Sequence, residues 1–248
     1  MYTSSEGIVF RQVKAAGGRK MLLLFTKNYG KISAGSSIGE KGRNQSSLAA
    51  RPFTYGIYEL YKGRETYNVN SAEVRRSFYR IGENVDKYMQ ASFVLELTEK
   101  MIPEELPQPR LFQLLLEFLS AMENREKRQE TLVLAYEAKA MQLLGTFPQL
   151  DQCACCGEKG KTGFFSVRDG GMICAKCVNN DNDALIYEPK FDIVNILKYF
   201  SKTPISAFEK IALDPDAAVQ LQKILREYMA YYLDIGTLKS DGIFGEEF

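Results

Sequence analysis

Residues 153–177, CACCGEKGKTGFFSVRDGGMICAKC, contain all five cysteines of the chain. Cys153 and Cys156 form one C-x-x-C pair, and Cys174 and Cys177 form a second. Two such loops supply four thiolates in the tetrahedral arrangement that Zn²⁺ prefers, and the gap between the pairs is typical of four-cysteine zinc sites. The stretch therefore predicts a zinc ribbon, in which Gly157 permits the tight turn after Cys156.

The predicted ligand set indicates a structural Zn²⁺ rather than a catalytic one. The chain has no histidine, and four thiolates leave no open position for the water that a catalytic zinc keeps. A disulfide pair and a redox dithiol are the alternatives, but a disulfide requires an oxidising compartment. Cys155 lies inside the first pair, and the spacing favours its neighbours as ligands. We interpret Cys155 as an unliganded thiol beside the metal.

Length and composition are those of a soluble globular protein. The chain has 248 residues, of which 45% are hydrophobic and 25% charged, and these are ordinary values for globular domains. No apolar run approaches the roughly 20 residues that span a bilayer. The first residues lack the basic and apolar regions of a signal peptide, so we expect a reduced, cytoplasmic protein without a membrane partner.

The charge is distributed unevenly along the chain. Residues 1–80 carry 14 basic and five acidic side chains, a net charge of +9, and the chain as a whole is +1, which leaves −8 for residues 81–248. A basic module joined to an acidic one indicates a polyanion partner for the basic module. The alternative is that the basic side chains only solvate the strands.

The first part of the chain reads as β structure. Residues 7–13, 19–26, 31–37, 53–61 and 66–70 predict five short strands separated by polar or glycine-bearing turns. Five strands with basic loops between them fit a small barrel of the OB type. Such barrels bind single-stranded nucleic acid with a positive groove and stacking aromatic rings.

The candidate nucleic-acid contacts are basic residues of this module and aromatic residues beside its turns. Tyr29 and Tyr67 are the stacking candidates, whereas Phe53 and Tyr55 are expected in the barrel core. Basic side chains would neutralise phosphates. The selected candidates are Arg11, Lys14, Arg19, Lys20, Lys27, Tyr29, Lys31, Lys41, Arg43, Lys62 and Arg64.

From Ser71 onward the apolar residues recur at helical spacing. Ser71 is expected to cap a first helix, and the later apolar stripes are typical of packed helical bundles. Asp214 is expected to cap the last helix, with Pro215 at its first position. The longer predicted helices span residues 84–101, 110–123, 130–144, 189–200 and 214–233.

These patterns predict an α+β protein. An N-terminal five-stranded OB-type β-barrel forms a nucleic-acid-binding domain over residues 1–80. An α-helical domain follows over residues 81–248, and the four-cysteine zinc ribbon, residues 150–180, is inserted in it.

No motif in the sequence indicates catalysis. A histidine-based triad is impossible because the chain has no histidine. Gly160-Lys161-Thr162 resembles the end of a phosphate-binding loop, but position 155 is Cys155 where that loop requires glycine. We therefore expect a protein that is not an enzyme, although active sites without short motifs exist.

Several blocks of sequence along the whole chain carry a family resemblance. They are GIV at 7–9, LFTKNYGKIS at 24–33, RPF at 51–53, ELYKGR at 59–64, FVLEL at 93–97, LFQLL at 111–115, the two cysteine pairs with their flanking residues, and LKS at 238–240. In this order and spacing they resemble the bacterial RecO family of DNA repair proteins, which are recombination mediators.

The resemblance implies an OB barrel, a helical domain and an embedded zinc module. It also implies a mediator that binds single- and double-stranded DNA, anneals complementary strands and, with RecR, helps to load RecA onto DNA coated by single-strand-binding protein. A cytoplasmic, nucleoid-associated location is expected for that role. Two alternatives stay open: a protein-interaction scaffold whose acidic helical domain holds a partner, and an RNA-binding module.

Overall fold

A computed structural model describes residues 2–14, 20–36, 45–64, 66–160, 162–178, 185–233, 235 and 238. The chain forms two compact units, one made of residues 1–124 and 238–248 and the other of residues 125–237. The predicted α+β class is confirmed, since a five-stranded sheet comes first and a helical region with a cysteine cluster follows. That residues 1–80 act as the nucleic-acid-binding domain stays a prediction.

The first unit contains a closed five-stranded barrel. The hydrogen-bonded strand order is β1-β2-β3-β5-β4, and β4 pairs back with β1. Strands β3 and β5 are paired in parallel, and the other neighbouring strands are antiparallel. A short helix, α1 (Gln45–Leu48), precedes β4. The strands are β1 (Tyr2–Lys14), β2 (Lys20–Thr26), β3 (Gly30–Ser36), β4 (Tyr55–Lys62) and β5 (Tyr67–Arg76).

Alternating apolar side chains fill the barrel, because successive strand residues point to opposite faces of a sheet. Val9, Leu22, Leu24 and Ile32 are among the buried residues of this core. Tyr58 is also fully buried, and its hydroxyl donates to the carbonyl of Ala49 at 2.8 Å. That hydrogen bond satisfies the polar end of a core side chain that would otherwise be costly to bury.

Two helices, α2 (Val85–Met101) and α3 (Pro109–Asn124), belong to the same compact unit as the barrel. The ring of Phe25 on β2 is fully buried, and it meets the ring of Phe112 on α3 edge-on at 5.3 Å. Phe112 of α3 thus packs on Phe25, which is buried but is not part of the barrel core. This packing explains why residues 21–25 read as one continuous apolar run instead of an alternating strand.

The prediction of a helix start at Ser71 is wrong. Residues 71–76 continue β5, and a 3₁₀ helix, Tyr79–Glu83, follows before α2. Ser71 lies opposite Glu59 of β4, and its hydroxyl donates to the Glu59 carboxylate at 2.5 Å. Pairing with β4 outweighs the local capping signal, because strand stability is set mainly by cross-strand neighbours. The N-cap lies instead at Asn84, whose side chain accepts the N–H of Lys87.

The turn before β3 is packed against the segment between α2 and α3. The N–H of Glu105 donates to the carbonyl of Lys31 at 2.9 Å. Gly30 has a φ of +69°, and a Cβ at this position would lie 2.2 Å from the carbonyl oxygen of Leu106. Both the backbone conformation and the close approach therefore require glycine.

The second unit holds three long helices and a small sheet of strand order β7-β6-β8. Helix α4 ends at Gly145 in the left-handed conformation, and Asp214 accepts the N–H groups of Asp216 and Ala217 at the start of α6. None of the helices in the described ranges is long and apolar enough to cross a bilayer. The elements are α4 (Glu130–Leu144), β6 (Thr162–Ser166), β7 (Gly171–Cys174), β8 (Ile186–Tyr187), α5 (Ile193–Lys202), a 3₁₀ helix (Ile205–Glu209) and α6 (Pro215–Leu233).

Candidate metal centre and nucleic-acid surface

The structure brings together the four cysteines of the two C-x-x-C pairs. The sulfur atoms of Cys153, Cys156, Cys174 and Cys177 all lie within 4.8 Å of one another. Cys156 Sγ and Cys174 Sγ are 3.8 Å apart. Four sulfurs that bind one Zn²⁺ tetrahedrally at about 2.3 Å are themselves separated by about 3.8 Å. The cluster therefore has the dimensions of a four-sulfur metal site.

Each cysteine pair lies in a tight turn beside the β6–β7 hairpin. In the first turn the N–H of Gly157, whose φ is +75°, donates to the carbonyl of Cys153 at 2.9 Å. In the second turn the N–H of Cys177 donates to the carbonyl of Cys174 at 2.9 Å. Cys174 is the last residue of β7, so the hairpin fixes where the second pair of sulfurs lies.

Backbone N–H groups are directed at the sulfur of Cys153. The N–H of Cys174 lies 3.4 Å from Cys153 Sγ, and hydrogen bonds from the backbone of Cys156, then of Cys174 and Cys155, lower the pKa of the Cys153 thiol to about 6. The pKa of the Cys177 thiol is raised, mainly by its hydrogen bonds with Cys156 and Cys174. Four thiolates this close repel one another, and a divalent cation stabilises them together.

Cys155 is not one of the four clustered cysteines, and its role as an unliganded thiol beside the metal stays a prediction. Its exposed thiol lies 3.4 Å from Asp169 Oδ1, and Ser166 donates to the other oxygen of that carboxylate at 2.6 Å. Partial desolvation, followed by the Asp169 carboxylate, raises the pKa of the Cys155 thiol. The thiol of Cys155 therefore lies beside Asp169, and it is not one of the four clustered sulfurs.

The ribbon is supported by the helices of the second unit. The ring of Phe165 on β6 is fully buried and meets the ring of Tyr228 on α6 at 5.8 Å. Ile173 on β7 is also fully buried and packs with Cys153 and Cys174. The apolar side of the hairpin thus faces protein, while Cys156 remains exposed.

Two of the predicted nucleic-acid contacts, Arg11 and Lys31, are engaged with helix α2. Arg11 forms two hydrogen bonds with the Glu99 carboxylate, at 2.8 and 2.9 Å, and these raise the pKa of the Arg11 guanidinium. Lys31 Nζ donates to the backbone carbonyl of Glu99 at 2.8 Å. That carbonyl is one of the last four of α2, which lack a partner within the helix and favour a cation.

A third predicted contact, Lys27, is paired within the barrel. Its Nζ lies 2.7 Å from Glu6 Oε1, and the hydroxyl of Tyr55 donates to Glu6 Oε2 at 2.7 Å. The hydrogen bond from Lys27, and then the one from Tyr55, lower the pKa of the Glu6 carboxyl. Burial, followed by the Glu6 carboxylate, raises the pKa of Tyr55 to about 12. Lys27 remains 44% exposed, so it is still accessible to a phosphate.

Lys62 and the two predicted stacking tyrosines lie close together on the barrel. Lys62 pairs with Glu105 at 2.9 Å, and this hydrogen bond raises the pKa of Lys62 to about 12. Its Nζ also lies 4.8 Å from the centre of the Tyr67 ring. Tyr67 is only 4% exposed; the prediction that it stacks on bases is therefore wrong, because its ring belongs to the barrel core. Tyr29 is half-buried, and its hydroxyl is hydrogen-bonded to Thr3.

The remaining predicted basic contacts differ in exposure. Lys14 and Arg64 are exposed, and neither forms an ion pair with another described residue, whereas Lys20 is half-buried. Arg19, Lys41 and Arg43 lie outside the described residues. The role of all these side chains in nucleic-acid contact stays a prediction.

Sequence reasoning did not select the exposed aromatic pair of Tyr2 and Tyr61. Tyr2 is 71% and Tyr61 42% exposed, and their ring centres are 5.2 Å apart. They are opposite each other in the β1–β4 ladder. Because 59 positions separate them in the chain, only the strand register brings them together.

Fold and site together define a class of protein: a closed β-barrel, followed along the chain by a helical region that includes a four-cysteine cluster of metal-site dimensions. The family model described as Recombination protein O N terminal matches residues 1–78, and the model described as Recombination protein O C terminal matches residues 82–242. The chain therefore belongs to the RecO family of DNA repair proteins. The resemblance predicted from the sequence blocks is confirmed.

Relatives are similar over nearly the whole chain. The DNA repair protein RecO of Alkaliphilus metalliredigens is 32% identical over 237 residues, which are 94% of this chain and 95% of the relative. The corresponding protein of Caldanaerobacter subterraneus is 26% identical, covering 97% of this chain and 96% of the relative. That of Bacillus subtilis is 27% identical, covering 94% and 92%. The similarity thus includes both compact units.

Proposed function

We propose that this chain is a recombination mediator. It binds single- and double-stranded DNA, anneals complementary strands and, with RecR, promotes the loading of RecA onto DNA coated by single-strand-binding protein. The observation that carries the proposal is the net charge of +9 on residues 1–80 of a chain that belongs to a DNA repair family. We place the protein in the cytoplasm, at the nucleoid, where this substrate is found.

The proposed mechanism requires no catalytic residue. Basic side chains neutralise phosphates and release condensed counterions, which supplies affinity that does not depend on sequence. Two strands whose charge is partly neutralised can approach each other, and base pairing then drives annealing. Lys14 and Arg64 are exposed and available for this role. Arg11, Lys27 and Lys62 are about half exposed and have carboxylate partners, which a phosphate would have to replace or share.

We infer that the four-cysteine cluster holds a structural Zn²⁺. Soft thiolate donors in a tetrahedral set select this ion over Mg²⁺ or Ca²⁺. Cys153, Cys156, Cys174 and Cys177 would be its ligands. The bound ion would supply folding free energy to a ribbon too small to fold by burial alone.

Fluorescence anisotropy of a labelled single-stranded oligonucleotide, titrated at several salt concentrations, tests the DNA-binding proposal. We expect log K to fall linearly with log salt, by about 0.7 for each phosphate contact on single-stranded DNA. An affinity that does not respond to salt, or no binding at low salt, would contradict the electrostatic mechanism. The annealing step is tested by mixing two complementary labelled strands with the protein in the absence of ATP. Fluorescence energy transfer between the two labels measures how fast the strands pair.

Charge reversal of exposed residues locates the binding surface. The double variant Lys14→Glu/Arg64→Glu should weaken binding and flatten the salt dependence, because these side chains are exposed and have no ion pair with a described residue. Lys202→Glu/Lys210→Glu makes the same change in charge on exposed residues of the second unit. Equal losses in both double variants would mean that the barrel is not the binding surface. Lys31→Glu is less suitable, because it would place a carboxylate beside the Glu99 carbonyl.

The net charge of −8 on residues 81–248 favours one second candidate, a scaffold that holds a basic protein partner while the barrel binds nothing. Unchanged DNA binding in the Lys14→Glu/Arg64→Glu variant, together with retained binding of such a partner, would favour the scaffold. Competition between DNA and RNA strands of one sequence in the same titration distinguishes DNA binding from RNA binding.

A further inference from the structure

A cavity of about 280 Å³ opens in the first unit, between the loop that precedes β4 and the 3₁₀ helix that follows β5. Four aromatic residues line it. Phe53 and Phe78 are 6% and 3% exposed, whereas Tyr79 and Tyr88 are 66% and 49% exposed. Arg51 also lines the cavity and is exposed. The site is thus an aromatic recess with solvent-accessible rings and a cation at its rim.

The walls of this aromatic recess are held in place by the fold. Thr54 Oγ1 donates to the carbonyl of Leu48 at 2.9 Å, and the N–H of Arg51 donates to the same carbonyl at 3.0 Å. On the opposite side, the guanidinium of Arg76 lies over the Phe78 ring, 4.5 Å from its centre. A recess fixed by hydrogen bonds and ring contacts loses little conformational entropy when a ligand binds.

Backbone conformation singles out the same recess. Four non-glycine residues of the described ranges have a positive φ, and two of them, Phe53 at +63° and Phe78 at +44°, line this one cavity. Such conformations are costly for residues with a Cβ, and they cluster at ligand-binding sites. Both strained residues are buried phenylalanines that form the inner wall of the cavity, and the Phe53 ring meets the exposed Tyr88 ring edge-on at 5.7 Å.

The charge around the recess favours an anionic ligand. Arg51 and Arg80 are exposed, and neither forms an ion pair with another described residue. Arg80 follows Tyr79 directly. Glu83 and Asp86 lie further along the same segment, and like Arg80 they do not line the cavity. Arg51 is thus the cation at the cavity wall, and a planar apolar group joined to a phosphate matches the lining rings together with this guanidinium.

We propose that the aromatic recess receives one unstacked base of single-stranded DNA, which stacks on Tyr79 or Tyr88 while the adjoining phosphate binds Arg51. The inference rests on the proposed DNA-binding function and assigns a site for it. The cavity volume is near the lower limit of about 300 Å³ for small-ligand sites, a size suited to a single base. Paired bases inside a duplex cannot enter, so the recess favours single strands. Stacking on tyrosine tolerates every base, because each has a π-face.

Two oligonucleotides of equal length test the base recess in the full-length protein. One is labelled oligothymidylate, and the other has the same backbone with abasic sites. At least one of the variants Tyr79→Ala and Tyr88→Ala should weaken binding of oligothymidylate by about tenfold, as expected for the loss of one stacking contact, and both should leave binding of the abasic strand unchanged. Tyr231→Ala, at a 53% exposed tyrosine of the second unit, is the matched control and should change neither.

Each alternative outcome contradicts the proposal that a base binds in the recess, and the outcomes can be told apart. Unchanged binding of oligothymidylate by both variants means that no base binds there, although DNA binding itself stands. Equal weakening for both oligonucleotides means that the tyrosines act without contacting a base. If the unaltered protein binds neither strand, the proposed DNA-binding function is contradicted as well.

Photocrosslinking gives a second readout that does not depend on how the variants fold. Oligothymidylate with one 5-iododeoxyuridine is irradiated in complex with the unaltered protein, and the adducts are mapped by mass spectrometry. We expect an adduct at Tyr79 or Tyr88. Adducts confined to aromatic residues elsewhere on the barrel, such as Tyr2 or Tyr61, would overturn the assignment.

Discussion

Arg11 of β1 and Glu99 of α2 are joined by two hydrogen bonds, of 2.8 and 2.9 Å, between guanidinium and carboxylate. Glu99 is only 13% exposed in its side chain, whereas Arg11 is 51% exposed. Arg11, which the sequence predicts to contact DNA, therefore also links β1 of the barrel to helix α2. Its acidic partner competes with any phosphate that approaches it.

Replacement of Glu99 by glutamine should separate these two roles. We expect the free energy of unfolding to fall by less than about 1 kcal/mol, because Arg11 is half exposed and solvent screens the pair. Affinity for single-stranded DNA should rise, by up to about fivefold in about 0.1 M salt, the effect of one added phosphate contact. Thermal unfolding and anisotropy measure the two effects. Glu117→Gln, at an exposed position of α3, removes the same charge without breaking the Arg11–Glu99 pair. An equal gain in DNA affinity in this control would mean that the gain does not come from freeing Arg11.

The hydrogen bonds that Glu6 accepts from Lys27 and Tyr55 should make stability depend on pH. They lower the pKa of Glu6 in the folded protein below its ordinary value of 4.5. Their stabilisation is therefore complete above that ordinary value and is lost as the pH falls through the lowered one. Urea unfolding of the unaltered protein and of Glu6→Gln should differ by at most about 1 kcal/mol at neutral pH, given the exposure of the pair. The difference should shrink on acidification, and a difference that grows would contradict the direction of the pKa shift.

Gly30→Ala should destabilise the barrel. The added Cβ would lie 2.2 Å from the Leu106 carbonyl oxygen in a backbone with φ of +69°, so strain and overlap act together. We expect a loss of more than about 2 kcal/mol in the free energy of unfolding. Gly82→Ala, where a Cβ would meet nothing within 4 Å, should change stability little. Similar stabilities for the two variants would show that the segment at Leu106 moves away at no cost.

Metal analysis of reduced, freshly purified protein should find about one zinc ion per chain. Cys174→Ser removes a buried ligand and should abolish binding, whereas Cys155→Ser should retain it. Chelation should unfold at least the ribbon, which circular dichroism and protease sensitivity of residues 150–180 would report. An absence of metal from the unaltered protein, or a dependence on Cys155, would refute the ligand assignment.

Several elements could be predicted because their signals are local. Helix α4 was predicted at its observed bounds, residues 130–144, since a helical apolar stripe ends at a glycine. The cysteine cluster could be predicted because each C-x-x-C turn brings its own two sulfurs together, and a short hairpin brings the two turns together. In both cases the determining residues are close in sequence.

Other features depend on residues that are distant in sequence. Ser71 has the local signature of a helix cap, but the register with β4 keeps it in a strand. Tyr67 follows a turn, as exposed stacking residues often do, but closure of the barrel buries its ring. The aromatic recess combines residues from the loop before β4 with residues after β5. No pattern within either segment indicates that they share a cavity.

The sequence by itself determined the class of fold, the four clustered cysteines, the basic character of residues 1–80 and the family. The first three are encoded in composition, period and short spacing, and the family is indicated by sequence blocks that lie in order along the whole chain. Only the tertiary structure decided which basic side chains are exposed and which tyrosines are accessible. It also decided that Arg11 and Lys31 meet Glu99. The physical reason is that exposure and ion pairing depend on strand register and helix packing, which join residues tens of positions apart.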